Sequence, residues 1–191
     1  MGRIVYIRHT ESGEVKLGVR IEGELFRFTL GESFLSSLAP LAVGDEIDEN
    51  TQGAIRAEDE ERRCMKKALA LLAYADNSKR ALYMKLRRAG YSSRTAEACA
   101  ESCKELGYIR EDEQLLRLVG SEANIHLRGR RRIVAKLSSR GYAASDIEAA
   151  IERLLDTGEV DFDANFARLL EKLGDGTAET EYTLKYKYGY K

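Results

Sequence analysis

The chain has 191 residues, of which 43% are hydrophobic, and this is enough for one domain or two small domains with buried cores. Lysine and arginine total 31 against 32 acidic residues, so the formal charge of -1 excludes a whole-protein field that would draw the molecule onto nucleic acid or a membrane. No apolar stretch is long enough to span a membrane, and the N-terminal segment turns polar by Arg8. We therefore expect a soluble cytoplasmic protein in which any electrostatic function is local.

Residues 1–53 have the pattern of a small strand-rich domain. The predicted strands are 3–9, 15–21, 24–30 and a short one after Gly44, separated by turn residues. Alternating apolar and polar residues on both sides of Glu22 and Gly23 predict a hairpin with one buried face. One or two helical turns are expected at 32–38, ended by Pro40.

Helical periodicity begins near Ile55 and continues through the rest of the chain. The predicted helices are 54–74, 79–89, 93–107, 112–124, 130–140, 145–156 and 163–173. Their predicted N-terminal signals are the acidic run 58–61, the polar run 76–78, Ser92 and Ser93, and a capping box formed by Ser145 and Glu148. Residues 182–190 alternate with period two, which favours a strand, whereas their position after the preceding helix favours another helix.

The helical part repeats itself. Lys85-Leu86-x-x-x-Gly90-Tyr91 returns 51 residues later as Lys136-Leu137-x-x-x-Gly141-Tyr142, and Gly107 and Ile109 return as Gly158 and Val160. The predicted fold is therefore mainly α, with tandem three-helix repeats forming an elongated array after the strand-rich domain. The repeats cover 54–110 and 111–160, and 161–191 forms a truncated third repeat whose missing helix should leave apolar surface uncovered.

No cofactor, metal site or catalytic group is predicted. The chain has three cysteines and two histidines, namely Cys64, Cys99, Cys103, His9 and His126, without CxxC spacing. Cys99 and Cys103 share a helical stripe with Ala96 and Leu106, so we expect small core residues rather than metal ligands. Because no nucleophile motif or phosphate-binding glycine loop is present, a non-enzymatic protein is expected.

Positive charge is concentrated on the second helix of each repeat. The windows between Asn77 and Ala96 and between Ala123 and Ser145 contain basic residues and no acidic one. The predicted binding residues are Lys79, Arg80, Lys85, Arg87, Arg88, Arg128, Arg130, Arg131, Arg132, Lys136 and Arg140. A solvated helix face is the structural alternative, but recurrence at equivalent positions favours a basic binding surface. The tyrosines after the repeat glycines, Tyr91, Tyr142 and Tyr190, are expected to pack between helices.

These features resemble a known family. The tandem three-helix units, the segment Leu82 to Tyr91, the link Glu105 to Asp112 and the segment Arg131 to Gly141 are similar to the bacterial RecX proteins, regulators of the RecA recombinase. The resemblance covers about residues 54 to 173. The sequence departs from the family pattern at Gly120 and in the loop 122–126.

The resemblance implies a non-enzymatic inhibitor that lies along the groove of the RecA–DNA filament and dampens ATP hydrolysis, coprotease activity and strand exchange. We expect the protein to be a monomer. It would place the protein in homologous recombination, DNA repair and the SOS response. A repeat array with a basic surface could contact an acidic filament surface or phosphates of single- or double-stranded DNA. Two alternatives stay open: a helix-turn-helix-like nucleic-acid binder that acts without RecA, and an acid-binding helical scaffold for some other protein.

Overall fold

The computed structural model describes residues 1–38 and 40–191. It begins with a four-stranded antiparallel sheet in the order β3-β2-β1-β4. The strands are β1 (Gly2–His9), β2 (Glu14–Ile21), β3 (Glu24–Gly31) and β4 (Glu46–Ile47). The predicted hairpin is confirmed: Glu22 and Gly23 have φ values of 50 and 88, which are the left-handed angles required at both centres of a tight two-residue hairpin turn.

The remainder of the chain is helical. The helices are α1 (Glu32–Ser37), α2 (Glu49–Tyr74), α3 (Lys79–Arg88), α4 (Ser93–Glu105), α5 (Glu111–Asn124), α6 (Arg130–Ser139), α7 (Ala144–Asp156), α8 (Phe162–Leu173) and α9 (Ala178–Tyr188). The predicted fold class, mainly α with a small strand-rich N-terminal part, is confirmed. The ambiguous segment is helical: only Leu184 of α9 is buried, and Tyr182 and Tyr186 are exposed, so the alternation does not correspond to one buried face.

The chain divides into two compact units, one formed by Met1–Ala70 with Leu86–Cys99 and the other by Leu71–Lys85 with Ala100–Lys191. The core of the first unit lies on the inner face of the sheet. It consists of Ile4, Val15, Leu17, Val19, Phe28, Leu30, Ile47 and Ile55. Because Ile55 belongs to α2, this long helix contributes to the same core as the strands.

Helix α2 also protects the outer edge of β3. The Asp59 carboxylate accepts a hydrogen bond from the backbone N–H of Thr29 at 2.7 Å, and Glu58 accepts one from the N–H of Gly31 at 3.2 Å. These groups would otherwise be open donors on the last strand of the sheet, where another chain could pair. The prediction that the acidic run 58–61 lies at a helix start is wrong, because α2 begins at Glu49 and uses two of these carboxylates on the sheet instead.

The main core of the second unit lies between α5, α6 and α7. It includes Leu115, Val119, Ile133, Leu137, Ile147, Ile151 and Leu154. Tyr142 packs into this core and donates its hydroxyl hydrogen to Oε1 of Gln114 at 2.8 Å. Ile133 and Leu137 are fully buried, as are Leu82 and Leu86 at the matching positions of the first repeat.

The second helix of every repeat ends in the same way. The N–H of the tyrosine after the terminal glycine donates to a helix carbonyl oxygen in Tyr91, Tyr142 and Tyr190, at 3.3, 3.3 and 2.9 Å. The three glycines have positive φ and are Gly90 (96), Gly141 (91) and Gly189 (81). This left-handed helix ending favours glycine, so it explains why the Gly-Tyr pair is the most regular part of the sequence repeat.

The predicted helix caps have different outcomes. Ser78 and Ser92 are confirmed as caps, because their hydroxyl oxygens each accept a backbone N–H bond at 3.1 Å. The capping box at Ser145 is wrong: α7 begins at Ala144, and the Ser145 hydroxyl donates to Asp146 at 3.0 Å. The Glu148 carboxylate is used elsewhere, on Arg130.

The three cysteines are buried and form no disulfide, and their burial is as predicted for small core residues. Leu106, assigned to the same stripe as Cys99 and Cys103, is 66% exposed, so that part of the prediction is wrong. It follows the last residue of α4, where the chain turns at Gly107 and the helical stripe no longer applies.

Candidate functional site

The candidate site is built around α6, whose two ends are joined to other second helices. At its N-terminus, the N–H groups of Gly129 and Arg131 donate to the carbonyl oxygens of Tyr188 and Gly189 at 2.8 and 3.2 Å. The carbonyl end of α9 thus supplies acceptors to the N–H end of α6, and opposite ends of two helix dipoles meet. The Tyr190 hydroxyl adds a bond to the carbonyl oxygen of Leu127 at 3.1 Å.

The C-terminal end of α6 forms an equivalent junction with the start of α3. The Ser78 hydroxyl donates to the carbonyl oxygen of Arg140 at 2.9 Å. A Cβ atom at Gly141 would lie 2.8 Å from Oγ of Ser78 and 3.3 Å from Cβ of Arg80. This close approach brings Arg80 next to the end of α6, where Arg140 is located.

One side of α6 carries a regular series of cations. Arg128, Arg132, Lys136 and Arg140 follow one another at four-residue intervals, so they lie along one face of the helix and the turns that flank it. Together with Arg80 at the α3 junction, we define these five residues as the basic stripe. Arg80, Arg132 and Arg140 are exposed and have no ion-pair partner among residues 1–38 and 40–191.

A buried carboxylate lies beneath the stripe. Glu122 of α5 is only 5% exposed and forms ion pairs with Lys136 at 2.6 Å and with Arg128. Burial by itself would raise the pKa of Glu122, but hydrogen bonds from Lys136 and Arg128 outweigh it and hold the pKa below its ordinary value. One negative charge therefore partly neutralises two of the five cations.

Two predicted binding residues on α6 point away from the stripe and have structural partners. Arg130 forms ion pairs with Glu148 at 2.6 Å and Glu152 at 2.5 Å, both on α7, and these bonds raise its pKa. Arg131 donates to the backbone oxygen of Lys191 at 2.6 Å. The sequence window is free of acids, but the folded environment is not, because the acids come from α5 and α7.

The residues predicted on α3 are also divided. Lys79 pairs with Glu101 at 2.5 Å, and Lys85 donates to the Asn77 side chain. Arg87 donates to the carbonyl oxygen of Tyr91 at 2.5 Å. Among the predicted residues of this helix, Arg80 and Arg88 are exposed and make no ion pair within the described part of the chain.

Glu122 is the residue of the candidate site that was not predicted from the sequence. The loop 122–126 departs from the family pattern, and this was the available signal. Nothing in the sequence places a carboxylate of α5 between Arg128, in the turn before α6, and Lys136 of α6. Among residues 1–38 and 40–191 there is no group of His, Cys, Asp or Glu side chains that could hold a metal ion. No helix in these ranges has the length and apolar character needed to cross a membrane.

Comparison with known proteins gives a match at the level of fold. No family model matches the sequence, and no curated protein matches it. A solved structure described as the regulatory protein RecX has a TM-score of 0.73 at 19% identity, over 100% of this chain and 93% of the other. The structure of RecX from Lactobacillus salivarius has a TM-score of 0.59 at 20% identity, over 70% of this chain and 88% of the other. The resemblance seen in the sequence is thereby confirmed as a structural one: the chain has the fold of the RecX structures.

Proposed function

We propose that this chain is a RecX-type regulator, a non-enzymatic protein that binds the RecA filament on DNA and inhibits RecA. The observation that carries the proposal is the basic stripe, in which one carboxylate, that of Glu122, pairs with two of five neighbouring cations. The stripe lies on a fold whose solved examples include a regulatory protein RecX. A group of cations, three of which are exposed and make no ion pair in the described part of the chain, suits an acidic protein surface or a phosphate backbone.

The contacts of each cation in the folded protein decide which substitutions can test this proposal. Arg130 and Arg131 hold α7 and the segment after α9, so reversing their charge would disturb the fold as well as any contact surface. Arg132 and Arg140 have no such partners and lie on the stripe. We therefore place the test on Arg132→Glu with Arg140→Glu.

The matched control is Arg153→Glu with Lys172→Glu. Both residues are exposed, lie outside the stripe and make no ion pair in the described part of the chain. Because the control also replaces two cations by glutamate, it changes the net charge by the same amount as the test variant. Arg168 is unsuitable as a control, because its guanidinium donates to the carbonyl oxygen of Asn124 at 3.3 Å and to the Asn165 side chain at 3.1 Å.

The assay is suppression of the DNA-dependent ATPase of RecA at fixed salt, with circular dichroism to verify folding. An exposed ion pair contributes about 0 to 1 kcal/mol, and reversal replaces attraction by repulsion at two positions, so we expect the half-inhibitory concentration to rise roughly tenfold. The control double variant should inhibit like the parent.

Two results would contradict the proposal. A folded Arg132→Glu, Arg140→Glu variant that inhibits like the parent would remove the stripe as the contact surface. A parent protein that has no effect on RecA, yet binds naked duplex DNA through the stripe, would favour a nucleic-acid binder that acts without RecA.

A further inference from the structure

The outer face of the N-terminal sheet carries a second concentration of positive charge. In an antiparallel sheet, directly opposite residues project from the same face. The register places Arg3 opposite Arg20, Tyr6 opposite Gly18 and Arg8 opposite Lys16, and Arg27 lies opposite Gly18 from the other side. We call this surface the outer sheet face, and define it as Arg3, Tyr6, Arg8, Lys16, Gly18, Arg20 and Arg27.

A bulge in β1 creates this arrangement. The pairing with β2 shifts between Ile4 and Tyr6, so Val5 is the extra residue. Before the bulge Arg3 points outward, and after it Tyr6 and Arg8 do, although strict alternation would send Arg3 to the opposite side from the other two. Ile4 lies on the inner face in the core of the first unit, and Ile7 packs against this core.

The charges on the outer sheet face are only partly balanced by the protein. Arg3 pairs with Glu46 at 2.9 Å and Lys16 approaches Glu14 at 3.5 Å. Arg8, Arg20 and Arg27 are exposed and make no ion pair in residues 1–38 and 40–191. Like charges directly opposite on neighbouring strands destabilise a sheet, and the pairs Arg3–Arg20 and Arg8–Lys16 have this relation. This arrangement does not stabilise the fold, and a bound polyanion would reduce the repulsion between these cations.

An aromatic ring lies flat in the middle of these cations. A Cβ atom at Gly18 would stand 2.3, 2.6 and 2.8 Å from three adjoining ring atoms of Tyr6, distances that place it over the ring face rather than beside its edge. The Tyr6 ring therefore covers the Gly18 backbone, which only glycine permits. The Arg8 guanidinium carbon lies 5.2 Å from the centroid of the same ring.

We infer that the outer sheet face is a binding site for single-stranded nucleic acid. The cations of three adjacent strands span roughly 10 Å, since neighbouring strands are about 4.8 Å apart, and they offer several phosphate contacts together. The Tyr6 ring offers a base a surface for stacking, as in other sheet faces that bind single strands. An unpaired base would stack on the ring face away from Gly18, beside the Arg8 guanidinium that lies over the ring, whereas bases inside a duplex are already stacked. The site lies on β1 to β3 and does not depend on RecA or on the basic stripe.

The test is binding of a fluorescein-labelled oligothymidylate of about 15 nucleotides to the full chain, followed by fluorescence anisotropy without RecA. The main variant is Arg8→Gln, Arg20→Gln and Arg27→Gln together. Because each phosphate contact contributes about 0.7 to the slope of log affinity against log salt, we expect the slope to fall by about 2. The control removes three exposed cations elsewhere, Lys66→Gln, Lys67→Gln and Lys172→Gln, and should retain the slope.

The aromatic contribution is tested with Tyr6→Leu and Tyr6→Phe. Loss of one stacking contact should weaken binding about fivefold or more in the leucine variant, while phenylalanine keeps the ring and the parent affinity. The arginine variants decide the matter if the leucine variant does not fold, because their side chains are exposed and outside the core.

Two outcomes would overturn the inference. The first is equal affinity and equal salt slope in the sheet-face and control triple variants. The second is a labelled glutamate-rich peptide that binds as tightly as the oligonucleotide and whose affinity is unchanged by Tyr6→Leu, because this would indicate an acidic protein partner. A negative result for oligonucleotide binding is distinguishable from a negative result for RecA inhibition. The Arg132→Glu, Arg140→Glu variant should keep the oligonucleotide binding that depends on Tyr6, and it is tested on RecA inhibition separately.

Discussion

Replacing Glu122 by glutamine should destabilise the second unit. The side chain is 5% exposed, and it accepts hydrogen bonds from Lys136 at 2.6 Å and from Arg128. A hydrogen bond to a charged group contributes about 1.5 to 3 kcal/mol. Glutamine keeps an acceptor, and the two cations are 28% and 38% exposed, so water can solvate them once the carboxylate is lost. We therefore expect a loss of about 2 kcal/mol, below the 3 to 5 kcal/mol typical of breaking a fully buried pair.

The assay is urea unfolding followed by circular dichroism, with Glu113→Gln as the control on the same helix. Glu113 makes an exposed ion pair with Arg110 at 3.4 Å, so its replacement should cost about 0 to 1 kcal/mol. The folded-state pKa of Glu122 is lowered, so its stabilisation is present above the ordinary value of 4.5 and is lost as pH falls through the lower folded value. The difference between parent and Glu122→Gln should shrink in that acid range. Equal stability of the two proteins at pH 7 would refute the assignment.

Four further substitutions test the repeat. Leu86→Ala and Leu137→Ala should each destabilise by about 2 to 4 kcal/mol in denaturant unfolding, because both leucines are fully buried, and unchanged midpoints in both would contradict the core assignment. Gly141→Ala should cost more stability than Gly90→Ala: both glycines have a left-handed backbone, but a Cβ at Gly141 would meet Ser78 and Arg80, whereas no atom lies within 4 Å of one at Gly90. Equal losses would show that the α3–α6 junction is loose.

The helical repeat could be predicted because its signals are local. Gly90 and Gly141 mark helix endings whose backbone angles favour glycine, and Leu86 and Leu137 face the core at helical spacing. These features depend on residues within one or two turns of each other. Sequence periodicity reports such features directly, and the helix positions agree with the predicted ones within a few residues, apart from the earlier start of α2 at Glu49.

The charged surfaces could not be predicted in the same way, because they depend on partners far apart in sequence. Arg130 belongs to a window without acids, yet Glu148 and Glu152 of the next helix neutralise it in the folded protein. The outer sheet face depends on one extra residue in β1, and strict alternation would have placed Arg3 and Arg8 on opposite sides. A bulge has no simple sequence signature, so the pattern of apolar and basic residues alone assigns these side chains to the wrong face.

The position of Glu122 connects the stability of the second unit to the charge of the basic stripe. A carboxylate buried under Arg128 and Lys136 orients both cations and neutralises part of their charge. The stripe's unbalanced charge therefore comes mainly from Arg132 in the first turn of α6 and from Arg140 and Arg80, which lie together at its C-terminal end. A partner that approaches this surface meets separated cations rather than a continuous one, and its acidic groups should match that spacing. Arg80, Arg132 and Arg140 are the residues of the stripe that make no ion pair in the described part of the chain, and a test of binding through the stripe has to be placed on them.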